Sequence, residues 1–357
     1  MGLIRFFLAI SVIFSHLNIS GVFTGGGIAV QSFYIISGFF VALMFDVSPA
    51  YQNICKFYRS RFLRIFPIYH VVFFASIIFV IIFGIPSLPN GKELFLNLNT
   101  ETKLLLVISN IFIFFQDWIM FLGWNNNGLN FVSHFSMSEP PLYHFLMVPQ
   151  AWSLAIELSF YLMAPFLVRC RTNWLIFLVI VGLLLRVIFY KNGLFEDPWS
   201  YRFFGLELFT FLIGMLSYRI YRKGRSEKWN VFNSKKIGVC SLIFMLFFTI
   251  FLKMLPVPVK MLAPFFYLSI FCLLPIIFNF TKSNKFDRFV GELSYPLYVV
   301  HIFIINIADV IFGEFVSNNY YFIFVLLISV LASIVLNSTI QKKIDDYRSK
   351  IKGTVYE

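Results

Sequence analysis

The stretch on which the fold turns is Lys103-Leu-Leu-Leu-Val-Ile-Ser-Asn-Ile-Phe-Ile-Phe-Phe-Gln-Asp-Trp-Ile-Met-Phe-Leu122. It is about as long as the ~20 apolar residues that cross ~30 Å of hydrocarbon, yet Asn110, Gln116 and Asp117 interrupt it. Around it, apolar runs recur along the whole 357-residue chain, near residues 3–20, 28–47, 66–86, 150–168, 173–190, 201–221, 237–256, 259–279, 289–312 and 319–340. If residues 103–122 also cross a membrane, there are eleven crossings and the chain ends lie on opposite sides. If they do not, there are ten crossings and both ends share one side.

Loop charge decides between the two counts, because short cytoplasmic loops carry the excess of Lys and Arg. Residues 48–65 hold Lys56, Arg59, Arg61 and Arg64; residues 222–236 hold six basic residues, 280–288 three, 341–357 five, and the turn Arg169–Arg171 two. The connections at 20–27, 123–149 and 313–318 hold none, and 87–102, 191–200 and 257–260 hold one each. That is 20 basic residues against 3. All the basic loops face one side only if residues 103–122 fail to cross. Residues 87–149 therefore read as one outer excursion, with 103–122 re-entrant or interfacial. The expected fold class is all-α: a polytopic integral membrane bundle of about ten transmembrane helices plus that one re-entrant or interfacial segment, with both termini cytoplasmic. Residues 1–340 form the membrane domain and 341–357 a basic cytoplasmic tail.

Composition agrees with this reading. The chain is 59% hydrophobic and 13% charged, and 29 Lys+Arg against 17 Asp+Glu give a net charge of +12. In a soluble domain such an excess points to nucleic acid. Here it is gathered between apolar runs, so it orients the chain in a membrane and no nucleic-acid partner is expected. Cys55, Cys170, Cys240 and Cys272 show no paired spacing, hence neither a disulfide framework nor a metal site is read from them. The N-terminal run resembles a signal peptide but lacks a small-residue cleavage site, so it reads as an uncleaved first span. No loop is long enough for a soluble catalytic domain. Any chemistry must use the spans and their loops.

Ionisable residues inside spans are costly and point to function by default. Arg5 and His16 are eleven residues apart in the first span; at about 100° per residue they fall within about 20° of one face, ~16 Å apart along the helix. Arg5 then sits at the cytoplasmic border, as an anchor or a ligand, and His16 in the outer half, as a catalytic group or an interhelical contact. The fifth span enters from outside at Trp152-Ser-Leu-Ala-Ile-Glu157. This places Glu157 at a depth similar to His16, where a carboxylate can fix an imidazole tautomer and raise its basicity, or simply lock two helices. In the second span, Ser37-Gly38 reads first as a site of close helix packing and second as a nucleophile. His301, in the tenth span, could line the same cavity or make a structural hydrogen bond. Arg186, Arg202, Glu207 and Asp309 fall towards outer span ends, to bind a polar acceptor or to pair with one another. On the inner side Arg61 and Arg64, at i and i+3, share a face if helical. Two guanidiniums so placed can bind phosphates bidentately, or serve as a topology signal with lipid-headgroup contact.

Taken in order, Arg5 with His16, Phe33–Phe39 ending in Ser-Gly-Phe, Tyr58-Arg-Ser-Arg-Phe-Leu-Arg-Ile-Phe-Pro67, Trp152-Ser-Leu-Ala-Ile-Glu157 and Leu293-Ser-Tyr-Pro-Leu-Tyr-Val-Val-His301 resemble the membrane acyltransferase-3 family, the O-acetylases of bacterial surface polysaccharides. The resemblance covers residues 1 to about 340. It implies a multi-pass protein of the bacterial cytoplasmic (inner) membrane that transfers a group other than aminoacyl. The acyl group, usually acetyl, passes from cytoplasmic acyl-CoA to a hydroxyl of a cell-surface polysaccharide, such as lipopolysaccharide or exopolysaccharide, or of its lipid-linked precursor. Acyl-CoA is then a donor substrate and not a bound cofactor; the other partners are membrane lipid and the glycan acceptor. On the same resemblance His16 is the general base and Glu157 its supporter. Arg61 and Arg64 hold the CoA phosphates, and Arg5 lines the acyl-CoA path. Ser37, Trp152, Arg202 and His301 are expected to line the cavity, and no metal is implied. Two departures stand out: Tyr34 replaces a second Phe in the second-span motif, and the C-terminal hydrolase-like domain of some relatives has no counterpart here. The second leaves open a partner protein for the outer transfer step.

Three other classes fit a many-spanned chain. A transporter or flippase of polysaccharide precursors also lines its path with Arg, His and Glu, although no inverted repeat relates the halves. A surface-polysaccharide polymerase would not need the paired arginines, and a membrane sensor or assembly subunit would not depend on His16. The outer excursion, with His134 and His144, is expected to help choose the acceptor.

Overall fold

In hydrocarbon a backbone must satisfy its own hydrogen bonds, so the apolar runs become helices. The structure, a computed structural model, describes residues 1–19, 21–85, 88, 90–125, 128–313 and 319–352. Its helices are α1 (Gly2–His16), α2 (Gly26–Val47), α3 (Ile54–Phe83), α4 (Gly91–Asn97), α5 (Thr100–Phe112), α6 (Trp152–Arg169), α7 (Thr172–Lys191), α8 (Phe204–Ser226), α9 (Asn230–Asn233), α10 (Lys235–Phe251), α11 (Val259–Thr281), α12 (Lys285–Phe312), α13 (Asn319–Leu336) and α14 (Lys342–Lys352). Among the described residues nine helices are long and apolar enough to cross a membrane, and α1, at 15 residues, is a shorter apolar helix beside them. This is a multi-pass membrane protein. The expected outer connection at 313–318 falls, from residue 314 on, outside the described residues, as do 353–357 of the tail.

Two seams hold the bundle at backbone distance. On α2 and α8, a Cβ at Gly38 would lie 1.9 Å from the Phe211 carbonyl oxygen, and one at Gly214 would lie 1.8 Å from that of Ile35. Only glycine permits this approach, the small-residue packing expected between helices in lipid. On α1 and α12, Gly2 and Gly291 meet in the same way. There Asp287 accepts from the backbone N–H groups of Gly2 (2.8 Å) and Leu3 (3.0 Å), satisfying N-terminal donors that a helix cannot satisfy itself.

The segment 103–122 does not form a spanning helix. α5 has 13 residues, about 20 Å at 1.5 Å per residue, and it ends where Ile113 (φ 67°) and Phe115 (φ 70°) turn left-handed. Its end rests against the middle of α3: the Tyr69 hydroxyl donates to the Asn110 carbonyl at 2.5 Å, and a His70 ring nitrogen lies 3.0 Å from that of Ile111. The polar residues that weakened this stretch as a span fasten the break. Asn110 donates to the Leu106 and Phe145 carbonyls (2.9 and 3.0 Å) and accepts from Met147 N–H (2.8 Å). Gln116 donates to the Tyr69 hydroxyl (2.9 Å) and the Ser109 carbonyl (3.0 Å). Irregular backbone at such a place is tolerated where the surrounding protein takes up its freed polar groups, as the Tyr69 and Gln116 side chains do for the Asn110 and Ser109 carbonyls. An Asn110→Ala variant strands the Phe145 carbonyl and the Met147 N–H. It is expected to lose about 1–3 kcal/mol per orphaned buried group, read as a lowered Tm of the purified protein in detergent. An unchanged Tm would show that the staple contributes nothing.

Three local features depart from the sequence expectation. A short antiparallel hairpin, β1 (Leu122–Asn125) with β2 (Gly128–Phe131), interrupts the all-α pattern within residues 87–149. The basic loop 48–65 is mostly helix: the Asn53 side chain accepts from Lys56 N–H at 3.3 Å and starts α3 well before its apolar run, so Lys56, Arg59, Arg61 and Arg64 ride on its first turns. The basic tail is not a loose extension either. Five residues of π-helix, Asn337–Gln341, carry the chain from α13 directly into α14.

Candidate active site

α1, α2, α3, α6 and α12 surround a cavity of about 350 Å³, within the ~300–1,000 Å³ range of small-molecule sites. Arg5, Arg61 and Arg64 line it, with Ser37 and Glu157. Residues from position 5 to position 157 are thus brought to one wall. Two local patterns arrange them. Arg61 and Arg64 share a face of α3 because they are one turn apart, and Glu157 and Tyr161 share a face of α6 for the same reason. The Ser37 hydroxyl donates to Glu157 Oε1 at 2.5 Å, and the Tyr161 hydroxyl donates to the same oxygen. Ser37 and Tyr161 are themselves 3.1 Å apart. Ser37 and Gly38 therefore divide the work: the glycine faces α8 and the serine faces the cavity.

Charge in this cavity is unbalanced. Arg61 is 9% exposed, its Nε has no hydrogen-bond partner, and its guanidinium lies 5.5 Å from the Tyr161 ring and 5.9 Å from that of Phe57. Arg64 lies 5.9 Å from the Tyr295 ring, and Arg5 lies within electrostatic reach of Arg64, Glu157 and Glu292. A buried charge left without a full counter-charge is destabilising by several kcal/mol. Such an arrangement persists where an anionic ligand completes it.

His16 lies elsewhere. It is the last residue of α1, exposed, and absent from the cavity wall. Its ring neighbour is His301, with centroids 5.1 Å apart. The hydrogen bonds of Glu157 go to Ser37 and Tyr161, both at its Oε1, and none joins it to His16 among the described residues. His301 is fully buried. Its Nδ1 lies 2.7 Å from the Tyr298 carbonyl, which makes Nδ1 the donor, and its Nε2 has no partner. Tyr298 joins the two regions: it lines the cavity, its hydroxyl lies 2.6 Å from Ser153 Oγ, and its ring is 5.8 Å from that of His301.

Trp152, Arg202 and His301, expected on the cavity wall, do not line it. Arg202 is held by Asp197 through two hydrogen bonds, 2.5 and 2.9 Å, and stacks 4.3 Å over the Trp152 ring. The loop that carries it, between α7 and α8, therefore closes over the start of α6. Arg202 is also close enough to His16 to act on it electrostatically. Tyr201 in the same loop is pushed up to about 12 by burial, with Arg202 opposing and Asp197 adding to it. In the connection between α5 and α6 burial lowers the His144 imidazole below its ordinary value. Of the other ionisable residues expected towards outer span ends, Arg186 pairs with Glu207 at 2.5 Å, Glu207 also accepts from Gln31 at 2.8 Å, and Asp309 accepts from the Tyr321 hydroxyl at 2.6 Å. All four cysteines are unpaired.

One cavity residue was missed in the sequence. Arg348 of α14 is 6% exposed and lines the cavity beside the other arginines. Its only signal in the sequence is the Asp345/Arg348 pair at i, i+3 in a stretch read as a basic cytoplasmic tail.

The family model described as an acyltransferase domain matches residues 1–338. Three curated relatives align with parts of the chain. YrhL of Bacillus subtilis (strain 168) is 28% identical over 228 residues, 59% of this chain and 31% of the relative. The peptidoglycan O-acetyltransferase OatA of Listeria monocytogenes is 24% identical over 339 residues, 85% of this chain and 49% of the relative. The O-acetyltransferase OatA of Staphylococcus aureus (strain NCTC 8325 / PS 47) is 24% identical over 201 residues, 52% of this chain and 29% of the relative. The chain thus spans half or less of the length of these relatives. No solved structure matches it.

Proposed function

The chain belongs to the acyltransferase-3 family, matched over residues 1–338, and on that premise we propose that it is a membrane O-acetyltransferase moving an acetyl group from cytoplasmic acyl-CoA to a glycan hydroxyl. The observation that carries this reading is the convergence of Arg5, Arg61 and Arg64 on one cavity that also holds Glu157. Guanidiniums recognise phosphates bidentately, and acyl-CoA brings several phosphates on a long flexible arm. The name of the Listeria relative, a peptidoglycan O-acetyltransferase, favours peptidoglycan or another cell-surface glycan as acceptor. A bundle of ten crossings with both termini cytoplasmic, in the bacterial inner membrane, would put the arginines on the CoA side. A partner protein for the outer step belongs to the same proposal.

The chemistry follows from the two ends of α1. The acceptor hydroxyl attacks the thioester carbonyl carbon; a C–O bond forms, the C–S bond breaks, and CoA leaves as the thiol. His16 takes the hydroxyl proton and returns it to the leaving sulfur. Its exposure at the end of α1 suits an acceptor arriving from outside, and its partner in the reading is His301 rather than Glu157. Glu157 keeps the Ser37 and Tyr161 hydroxyls turned inward where the donor's arm would pass on its way to His16.

The test compares a deletion strain with strains complemented by the wild-type gene. Acetate released by mild base is measured from peptidoglycan and from each other surface glycan. Acetylation of one glycan is expected to fall without the gene and to return with it. Unchanged acetate in every fraction would sink the enzyme reading. Loss of the glycan itself, with normal acetate per sugar, would favour the transporter.

A further inference from the structure

α14 lies beyond the residues matched by the family model, yet it packs on the arginine-bearing turns of α3. The Arg59 guanidinium donates to the Tyr347 hydroxyl and stacks 5.3 Å from its ring. Arg348 Nε donates to Ser60 Oγ at 3.3 Å. Between them Asp345 faces two arginines of the cavity: one carboxylate oxygen accepts from Arg348 Nη1, and the other lies 3.7 Å from Arg64 Nη1. Gln341 also donates to that second oxygen, at 3.1 Å.

The cavity wall carries four guanidiniums, Arg5, Arg61, Arg64 and Arg348, and one carboxylate, Glu157. Asp345 neutralises part of this excess from outside the wall. A carboxylate offers two oxygens and one charge. A phosphate offers three acceptor oxygens and close to two charges, so it competes for the same donors on better terms. Arg61 has an unsatisfied Nε, and it stands ready for an anion that Asp345 does not reach.

We propose that α14 is part of the donor site, with Arg348 a phosphate ligand alongside Arg61 and Arg64, and Asp345 a resident counter-ion that the donor's phosphates displace. This rests on the acyl-CoA reading above. It assigns to the C-terminal helix both a contribution to affinity and a built-in competitor that limits it. An empty site is held closed by the Asp345 pairs; a bound polyphosphate breaks them and takes Arg348.

The experiment titrates coenzyme A into the purified full chain in nanodiscs by calorimetry, with far-UV circular dichroism and Tm as controls for folding. Four proteins are compared: wild type, Arg348→Gln, Asp345→Asn and the double variant Arg61→Ala/Arg64→Ala. Loss of one charge-assisted hydrogen bond in Arg348→Gln is expected to weaken binding by about tenfold or more. Asp345→Asn is expected to tighten it by roughly threefold to tenfold, since the competitor has lost its charge. The double variant is expected to abolish binding. If both α14 variants bind like wild type while the double variant does not bind, the inference is overturned and the donor reading stands. If wild type fails to bind coenzyme A, or the double variant binds equally well, the donor reading falls and the inference with it. Should Arg348→Gln prove misfolded, Asp345→Asn alone decides, and affinity equal to or weaker than wild type overturns the inference.

Discussion

His16→Ala is expected to reduce glycan O-acetylation by about 10²–10⁴-fold, the range that a positioned general base contributes, with the fold and the donor site intact. The separation is possible because of where His16 sits. It is exposed at the end of α1 and absent from the cavity wall, so its loss opens no buried cavity and should change stability by no more than about 0.5 kcal/mol. Its neighbour His301 is fully buried, and truncation there would confound catalysis with packing. The measurement is acetate per glycan in cells complemented with His16→Ala, matched for protein in the membrane fraction, together with coenzyme A affinity of the purified variant. Activity within a factor of three of wild type would remove the general-base role. Lost activity with lost coenzyme A affinity would place His16 on the donor path instead.

Gly38→Val should be the most damaging single substitution in the bundle. In an isolated helix, replacing glycine removes a penalty of about 1 kcal/mol. Here the first added carbon would lie 1.9 Å from the Phe211 carbonyl oxygen, a backbone atom that cannot rotate away, so α8 would have to retreat. Overpacking costs typically ~1–3 kcal/mol and more when backbone must move, so the collision outweighs the propensity gain and valine's branches add to it. Gly27 of the same helix is the control, because a Cβ there meets nothing closer than 3.7 Å; Gly27→Ala should be neutral or slightly stabilising. Folded yield and Tm in detergent check both. A Gly38→Val protein as stable as wild type would mean that α2 and α8 are free to separate.

Much of this architecture was legible because charge and polarity in a membrane sequence have few alternative uses. Asn110, Gln116 and Asp117 marked 103–122 as the segment that does not cross, and the structure turns the first two into the staples of a broken helix. The break point itself was not legible. Left-handed turns at Ile113 and Phe115 involve no glycine or asparagine, so local sequence gives no warning; tertiary contacts, to α3 and to Phe145 and Met147, hold the break. At the site, the cost of an ionisable group inside a span singles out Arg5 and Glu157, and the i, i+3 spacing singles out Arg61 and Arg64. Their partners are not singled out, since helix periodicity says which residues share a face but not which face meets which. Hence Glu157 was paired with His16 when its hydroxyl partners, Ser37 and Tyr161, came from α2 and from its own next turn. Arg348 was overlooked for a different reason: polar, charged stretches read as solvated, and only the three-dimensional path through Asn337–Gln341 returns this one to the bundle.

The length of α3 has one more consequence. Thirty residues make a rod of about 45 Å at 1.5 Å per residue, half again the ~30 Å hydrocarbon thickness. Its apolar run, from about residue 66, fits that thickness, and the turns before it, with Arg59, Arg61 and Arg64, extend past the hydrocarbon on one side. A thicker or thinner bilayer can therefore act as a sleeve that slides along the rod. Arg61 and His70, nine positions apart on it, keep their separation whatever the sleeve does. The gap between the arginine cluster and the break after α5 is thus a property of the polypeptide, and lipid composition should leave it unaltered.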